Sequence, residues 1–377
     1  MNNRVPVEAF SPGEYLRDEL DARNWTQTEF AQIIARPTRL VNEIIAGKRG
    51  ITPETAKELS AAFGTSDMFW MNLESAFQLS KARPASNDIA RRVLLREKFP
   101  VRDMIKRGWL PDAEDLTVLE KSALSFFGLT SLEQDIHFPH AARRNYAENV
   151  SPLQWAWLFR VKQLADVIPS KPYSADGLRS AIAKMEALLT EPEEGRHVAK
   201  ILADCGVRFV VVEPLPGSKT DGVCFWLDQQ SPVVGMTLRF DRNDNFWFVL
   251  RHELEHILRN HANNGLILDE DLGDGRNVSV EEEEANTASQ EFCVPPRELT
   301  DFVARVRPYF SEEKITKFSK RIKRHPGIVI GQLQNYLSRP DLLNKMKVKI
   351  RKIIAASAFT DGWGQEFPVL GGKNGVV

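Results

Sequence analysis

Two histidines four residues apart, His252 and His256, are the residues of this sequence that point most clearly to chemistry. On a helix, side chains at positions i and i+4 lie on one face, so both imidazoles can bind a single metal ion. Glu253 follows the first histidine, and a carboxylate there can accept a proton from a water that a metal has activated. The pattern predicts a zinc site (Zn2+) with Glu253 as general base and metal-assisted peptide hydrolysis as its chemistry.

A catalytic zinc site needs a third protein ligand, and a run of four glutamates at 281–284 supplies the candidates. Acidic residues are also favoured at a helix N-terminus by the helix macrodipole, so some of the four need no other role. Chance supplies a His-Glu-x-x-His pattern in roughly one chain in a hundred of this composition. From the residues alone, the choice among the four glutamates stays open. His261 points to another side of the helix and is interpreted as structural.

Helices and short strands must position these residues. Apolar residues around the histidine pair predict a buried helix over 245–261, and a second helix is predicted over 280–294. Before them, β-branched and aromatic runs at 208–213, 222–227 and 232–238 are separated by turn-forming residues, as hairpin strands would be. The sequence therefore predicts a site where a small β region meets two helices.

A second group of residues, near the N-terminus, is suited to binding nucleic acid. Thr26 and Glu29 predict a capping box at the start of one helix, and a tight turn at 35–37 leads to another helix over 38–46. A pair of helices joined in this way can place the second in the DNA major groove. The candidate contacts with bases and phosphates are Gln27, Arg36, Thr38, Arg39, Asn42, Lys48 and Arg49.

Two interpretations of this helical segment stay open on spacing alone. Arg39 and Asn42 lie on its predicted exposed side, where Arg can pair with guanine and Asn with adenine. However, residues 1–50 hold seven Lys/Arg and seven Asp/Glu, so the segment has no net positive charge. A small helical bundle used for packing or dimerisation fits that composition equally well.

Length and composition restrict the class of protein. A chain of 377 residues exceeds one ordinary core, so two or three domains are expected. The three cysteines, Cys205, Cys224 and Cys293, are widely spaced, which favours buried thiols in a reducing cytoplasm. No apolar stretch reaches the roughly 18 residues of a membrane span, and the start lacks a signal-peptide pattern. We therefore expect a cytoplasmic protein with no membrane partner.

The N-terminal residues resemble a known family. Similar residues are Pro12-Gly13-Glu14-Tyr15-Leu16, Trp25-Thr26-Gln27, the run 42–56 and Phe69-Trp70-Met71-Asn72-Leu73. Together they resemble the HigA-type branch of the Xre, or lambda-repressor-like, helix-turn-helix family over about 70 residues. The resemblance implies operator DNA as a partner, binding through the second and third helices, a homodimer, and the antitoxin role of a toxin–antitoxin operon.

The sequence around the histidine pair resembles the ImmA/IrrE metallopeptidase family. Similar residues are Pro232-Val233-Val234, the run 246–256, Glu284-Ala285-Asn286, Pro295 and the run 325–333. The resemblance implies that His252, His256 and Glu284 are the zinc ligands and that Glu253 is the general base. It also implies a protein substrate, such as a partner repressor or toxin.

Two positions depart from the pattern of that family. Glu255 stands where the family has a small residue, and Thr287-Ala288-Ser289 stands where it often has an aromatic residue and alanine. The carboxylate of Glu255 is expected either to be a fourth metal ligand or to point to solvent.

These patterns predict a mainly α-helical chain with a small α+β domain. We expect a lambda-repressor-like DNA-binding domain at 1–80, a helical middle or linker region at 81–190, a zincin-like metallopeptidase core at 191–300 and a helical C-terminal extension at 301–377. The predicted function is an antitoxin-type transcriptional regulator coupled to a zinc peptidase. The alternatives are a non-catalytic antitoxin whose metal site is structural or sensory, and a protease that uses its helix-turn-helix only to dimerise.

Overall fold

The chain folds as two compact units, residues 1–89 and 90–377. The computed structural model describes residues 10–83, 86–138, 150–260, 267–270, 279–362 and 365–369. His261 lies outside these ranges. Within them, no helix combines the length and the apolar character that crossing a membrane requires.

The first unit is a bundle of short helices around an aromatic core. Its helices are α1 (Pro12–Arg23), α2 (Gln27–Ile33), α3 (Thr38–Ile45), α4 (Pro53–Phe63) and α5 (Asp67–Lys81). The capping box predicted at Thr26 and Glu29 is confirmed at the start of α2. Gly13 lets α1 approach α3, because a Cβ at that position would lie 2.2 Å from the Ile44 carbonyl oxygen. The core consists of apolar side chains from all five helices, among them Leu16, Phe30, Val41, Ile44, Leu59, Phe63 and Trp70.

The second unit is a sheet with helices on both faces. Its helices before the sheet are α6 (Asn87–Lys98), whose first turn falls within the first unit, α7 (Val101–Lys106), α8 (Leu116–Phe127), α9 (Pro152–Asp166), α10 (Ala175–Glu186) and α11 (Val198–Asp204). The strands are β1 (Arg208–Val212), β2 (Thr220–Trp226), β3 (Pro232–Met236), β4 (Ile267–Glu270), β5 (Phe359–Gly362) and β6 (Gln365–Val369). The remaining helices are α12 (Asn243–Leu258), α13 (Val280–Cys293), α14 (Pro296–Val306), α15 (Glu312–Arg321), α16 (Pro326–Leu337) and α17 (Arg351–Ala355).

The sheet has the strand order β4-β2-β3-β1-β5-β6. β2 and β3 form the predicted antiparallel hairpin, whereas β1 pairs in parallel with β3 and β5. The prediction of β1 as a hairpin strand is therefore wrong. The run of apolar residues at 209–212 suits a strand that is buried on both faces, as parallel strands usually are.

The region 301–377 is not a purely helical extension, because β5 and β6 complete one edge of the sheet. β5 has four residues, which is too short for a recognisable alternation in the sequence. Its Asp361 is fully buried and accepts a hydrogen bond of 3.0 Å from Trp109 Nε1, as well as one from Arg160. Asp361 thus connects β5 to α9 and to the segment that follows α7.

The region 81–190 is likewise not a linker. Alternate strand residues face opposite sides of the sheet, and Val210, Val223 and Phe225 pack on helices α6–α9. Trp157 of α9 donates its Nε1 hydrogen to the Val212 carbonyl at 3.0 Å. On α9, the side chains of Trp155, Trp157, Phe159, Val161 and Leu164 are buried. Helices α6–α9 therefore form the layer that covers one face of the sheet. Their apolar side chains are explained by this packing on the sheet.

Candidate metal centre

Helix α12 carries the histidine pair on a side that is completely enclosed. Phe246, Trp247 and Leu250 anchor the helix in the core on the second face of the sheet. His252, Glu253 and His256 are each 0% exposed. The imidazole rings of the two histidines meet edge to face, with their centroids 4.7 Å apart. The predicted arrangement of both rings on one helical face is confirmed.

The carboxylate that faces the two histidines belongs to Glu282 of α13. Its Oε2 lies 3.1 Å from His252 Nε2, and its Oε1 lies 3.5 Å from His256 Nε2. The two Nε2 atoms are 3.0 Å apart. Tetrahedral bonds of about 2.0–2.1 Å place ligand atoms roughly 3.3 Å from one another, so these three donors fit one zinc ion. Two imidazoles and a carboxylate are also a donor set that zinc favours.

Glu284, which the family resemblance predicts as the third ligand, lies away from the histidines. Its Oε2 is 3.1 Å from Arg259 Nη1, and its side chain is 38% exposed, against 23% for Glu282. Residues two apart on an α-helix are separated by about 200° around the axis, so Glu282 and Glu284 face nearly opposite ways. The structure therefore replaces Glu284 with Glu282 as the candidate third ligand.

The carboxylate of Glu253 lies against the backbone of strand β2. A Cβ at Gly222 would lie 2.1 Å from Glu253 Oε1 and 2.9 Å from Val249 Cγ1, so glycine is what makes room for the carboxylate. β2 is held between β3 and β4, which limits how far its backbone can yield. Gly222 was not among the residues predicted to belong to the site, although a glycine within a strand pattern can signal close approach of another group.

The substitution Gly222→Ala is expected to destabilise the second unit by about 1–3 kcal/mol, because the new methyl group overlaps the Glu253 carboxylate. Urea unfolding of the full chain measures the loss. In a Glu253→Ala background the same substitution should cost clearly less, since most of the overlap is gone. Equal costs in the two backgrounds would show that Gly222 does not make room for Glu253.

Glu255 is neither a metal ligand nor directed to solvent. Its Oε2 accepts a hydrogen bond of 2.7 Å from Arg251 Nη2, and its Oε1 accepts one of 2.6 Å from Arg259 Nε. Burial raises the pKa of Glu255, but the hydrogen bonds from Arg259 and Arg251 outweigh it, so the pKa lies below its ordinary value. Arg259 also pairs with Glu284 and thereby joins α12 to the first turns of α13.

The lowered pKa of Glu255 predicts a pH-dependent contribution to stability. A carboxyl group whose pKa is lower in the folded state stabilises the fold above its unfolded pKa of about 4.3, and this stabilisation is lost as the pH falls through the folded value. We therefore expect Glu255→Gln to lose less stability than the unmodified protein when the pH is lowered below about 4.3. Urea unfolding at pH 7 and at acidic pH measures this difference.

Glu313→Gln is the matched control for that prediction. Glu313 also has a lowered pKa, through its hydrogen bond with Lys317, but the pair is fully exposed to solvent. Exposed ion pairs contribute little to stability, so this variant should keep the pH dependence of the unmodified protein. A similar response in both variants would contradict the role given to the buried ion pairs of Glu255.

The predicted DNA-contacting residues lie on α2, on α3 and at the turns that flank α3. Gln27, Asn42, Lys48 and Arg49 are exposed, and Thr38 is half-buried at the start of α3. Arg39 is 87% exposed and pairs with Glu43 at 2.7 Å. Arg36 pairs with Glu58 of α4 at 2.6 Å, so it also has a structural role within the bundle.

Fold and site together define a class of protein: a helix-turn-helix bundle followed by a zincin-like unit with a His-Glu-x-x-His helix. The family model described as helix-turn-helix matches residues 16–70, and the one described as IrrE N-terminal-like domain matches residues 206–333. Both matches include the elements from which the two candidate sites are built.

Known relatives cover the first unit. The chain is 34% identical over 71 residues to an uncharacterized HTH-type transcriptional regulator, YddM, of Escherichia coli (strain K12). These residues make up 19% of this chain and 76% of that protein. It is 33% identical over 88 residues to virulence-associated protein I of Dichelobacter nodosus, and these residues make up 23% of this chain and 80% of that protein. This chain belongs to the helix-turn-helix family through its first unit and carries an IrrE-like, peptidase-type domain in its second.

Solved structures similar to the first unit include two antitoxin-type proteins. An addiction module antidote protein of a HigA family from Coxiella burnetii is 36% identical over 20% of this chain and 84% of that chain, with a TM-score of 0.20. The Pseudomonas aeruginosa antitoxin HigA with higBA promoter is 36% identical over 20% of this chain and 82% of that chain, with a TM-score of 0.19.

Proposed function

We propose that this protein is an antitoxin-type transcriptional regulator whose second unit is a zinc-dependent metalloendopeptidase. The observation that carries the proposal is the cluster of His252, His256 and Glu282, whose ligand atoms all lie within 4.8 Å of one another. The fully buried Glu253 lies on the same helix. The substrate is a protein, such as a toxin or a partner repressor, and the reaction takes place in the cytoplasm, where operator DNA is found.

The residues of the site have separate roles in the proposed peptide hydrolysis. His252, His256 and Glu282 would hold a zinc ion, which would supply Lewis-acid activation of the attacking water and of the scissile carbonyl. The Glu253 carboxylate accepts a proton from the attacking water and passes it to the nitrogen of the leaving amine. Gly222 leaves room for this carboxylate against β2.

The metal content of the purified full chain tests the first step of the proposal. We expect one equivalent of zinc, removal by a chelator, and recovery when zinc is added back. Cleavage of the protein encoded by the neighbouring gene should follow the same cycle. Operator binding should survive chelation, because the first unit does not contain the metal site. A protein that neither retains nor rebinds zinc would contradict the proposal.

Operator binding is assigned to the first unit, with α3 in the major groove. The support is the helix-turn-helix family match and the exposure of Arg39 and Asn42 on one side of α3. Lys48 and Arg49 are exposed just beyond the end of α3, where they can bind phosphates. A homodimer places two such helices on a two-fold symmetric operator.

Arg39→Ala is expected to lower affinity for the operator by about 1–3 kcal/mol and to relax the preference for one base pair, because it removes a bidentate contact with a base. Lys48→Ala should instead weaken binding to all sequences alike and reduce the salt slope by about one unit. Titrations of operator and scrambled DNA at several salt concentrations separate the two effects. Unchanged operator affinity in Arg39→Ala would show that α3 is not the recognition helix.

A second function, a non-catalytic antitoxin with a structural or sensory metal site, is favoured by one observation. His252, Glu253 and His256 are each 0% exposed. Of the three proposed ligands, only Glu282, whose side chain is 23% exposed, is therefore open to solvent. A substrate would have to reach the metal from the side of Glu282. The substitution Glu253→Gln distinguishes this function from the catalytic one.

A further inference from the structure

The charge of the chain changes sign directly after the helix-turn-helix bundle. Residues 1–80 hold eight Lys/Arg and eleven Asp/Glu, whereas residues 81–107 hold nine Lys/Arg and three Asp/Glu. A DNA-binding protein neutralises phosphates with Lys and Arg, and this supplies essentially all of its sequence-independent affinity. Because carboxylates are in excess in the helix-turn-helix bundle, the cations that follow it are candidates for further phosphate contacts.

Three of these cations are engaged within the second unit. Arg91 of α6 pairs with Glu120 of α8 at 2.8 Å. Lys98 donates a hydrogen bond of 2.7 Å to the Leu132 carbonyl oxygen. Arg107 pairs with a carboxylate at 3.2 Å. These three side chains therefore stabilise the second unit and are not offered to an external partner.

Four other cations of α6 and α7 point to solvent. They are exposed and have no ion-pair or hydrogen-bond partner among the residues that the structure describes: Arg92, Arg96, Arg102 and Lys106. Arg92 and Arg96 are four residues apart on α6, as Arg102 and Lys106 are on α7. Side chains four apart are neighbours on a helix, so each helix presents two unpaired cations on one side. We call these four residues the cationic surface of α6 and α7.

The charge of this surface indicates the chemistry of its partner. Residues 92–106 hold five Lys/Arg and two Asp/Glu, so the complementary partner is a polyanion. Duplex DNA carries one negative charge per about 1.7 Å of helix axis. Five residues separate α5 from α6, so DNA held by the first unit is present at a high effective concentration for the cations of α6. Among polyanions, DNA is therefore the partner that the chain itself brings to this surface.

We propose that the cationic surface of α6 and α7 binds the phosphate backbone of DNA next to the operator. The inference rests on the proposed operator binding, and it assigns part of the affinity to the second unit. Arg39 and Asn42 of α3 read base edges, whereas the four cations contact phosphates and have no sequence preference. The contact requires neither the metal nor Glu253, so it is independent of proteolysis.

Salt titrations of the full chain with a random-sequence duplex of about 40 base pairs test the proposal, because they measure phosphate contacts without the operator sequence. Each contact contributes about 0.9 to the slope of log K against log salt, which is roughly eightfold in affinity at about 0.1 M salt. The fourfold variant Arg92→Gln, Arg96→Gln, Arg102→Gln and Lys106→Gln is expected to lose about 2–4 units of slope and to bind at least about 60-fold more weakly.

Two double variants divide the effect between the helices. Arg92→Gln with Arg96→Gln, and Arg102→Gln with Lys106→Gln, should each lower the slope by about 1–2 units. Glutamine is a good helix former and all four positions are exposed, so the Tm should stay unchanged. If the fourfold variant does not fold, the double variants decide the question.

The matched control removes four exposed lysines elsewhere in the second unit: Lys320→Gln, Lys323→Gln, Lys349→Gln and Lys352→Gln. It makes the same change in net charge and should keep the slope within about half a unit. An equal loss in the control would overturn the proposal, since it would show an effect of net charge alone.

The outcomes separate this inference from operator binding itself. If the unmodified protein binds DNA and the fourfold variant keeps its slope, the inference is wrong and operator binding stands. An altered oligomeric state with an unchanged slope, measured by light scattering, would likewise overturn it and assign the surface to contact with a second copy of the chain. If the unmodified protein binds neither this duplex nor the promoter of its own gene at about 50 mM salt, operator binding fails and this inference fails with it.

Discussion

Glu253→Gln is expected to lower the rate of proteolysis by a factor of about 10²–10⁴ while zinc content and operator affinity stay unchanged. Glutamine has nearly the same shape as glutamate, so it still fits against Gly222, but its amide cannot accept the proton of the attacking water. Because Glu253 is not among the three clustered ligand residues, the metal should remain bound. Cleavage of the neighbouring gene's product, followed by gel electrophoresis and mass spectrometry, measures the rate.

Glu283→Gln is the matched control, because it makes the same chemical change on the exposed side of α13. It should leave cleavage, zinc content and operator binding unchanged. If Glu253→Gln cleaves as fast as the unmodified protein, Glu253 is not the general base. If the unmodified protein and Glu253→Gln both bind zinc and operator DNA but neither cleaves the substrate, the non-catalytic antitoxin is the correct function.

Glu282→Gln is expected to weaken zinc binding on the order of 100-fold or more, whereas Glu284→Gln should change it little. Glu282 supplies the carboxylate 3.1 Å from His252 Nε2, and an amide oxygen is a much poorer zinc ligand. Loss of an outer partner of a metal ligand already costs about 10- to 100-fold in affinity, so loss of a ligand should cost at least as much. Competition with a chromophoric chelator measures both affinities.

The two variants carry the same change two residues apart on one helix, so helix propensity and net charge are matched. Glu284→Gln removes the ion pair with Arg259 and leaves the three clustered donors in place. The opposite result, with a large loss for Glu284 and a small one for Glu282, would restore the ligand set implied by the family resemblance. It would also mean that α13 is rotated about its axis relative to this structure.

Much of the local structure could be predicted from the sequence. The capping box at Thr26 and Glu29, the helices α12 and α13 and the hairpin of β2 and β3 all follow from patterns within about a dozen residues. The partners of Glu255 were within reach as well, because Arg251 and Arg259 are four residues away on either side, where helical side chains meet.

Features that depend on distant segments could not be predicted in this way. The apolar helices α6–α9 looked like a separate middle region, because nothing local shows that they cover a sheet whose first strand begins at Arg208. The four residues of β5 gave no usable pattern, and their place beside β1 depends on hydrogen bonds between segments far apart in the chain. Gly222 likewise gained its importance only from the carboxylate that packs on it.

The metal centre depends both on a local sequence pattern and on the packing of distant segments. The sequence by itself determined that His252 and His256 share a helical face, because the period of the α-helix makes residues four apart neighbours. Only the tertiary structure decided which glutamate joins them, because the four candidates at 281–284 differ in direction by about 100° per residue. The rotation of α13 about its own axis, set by its packing on α12, turns Glu282 toward the histidines and Glu284 toward Arg259.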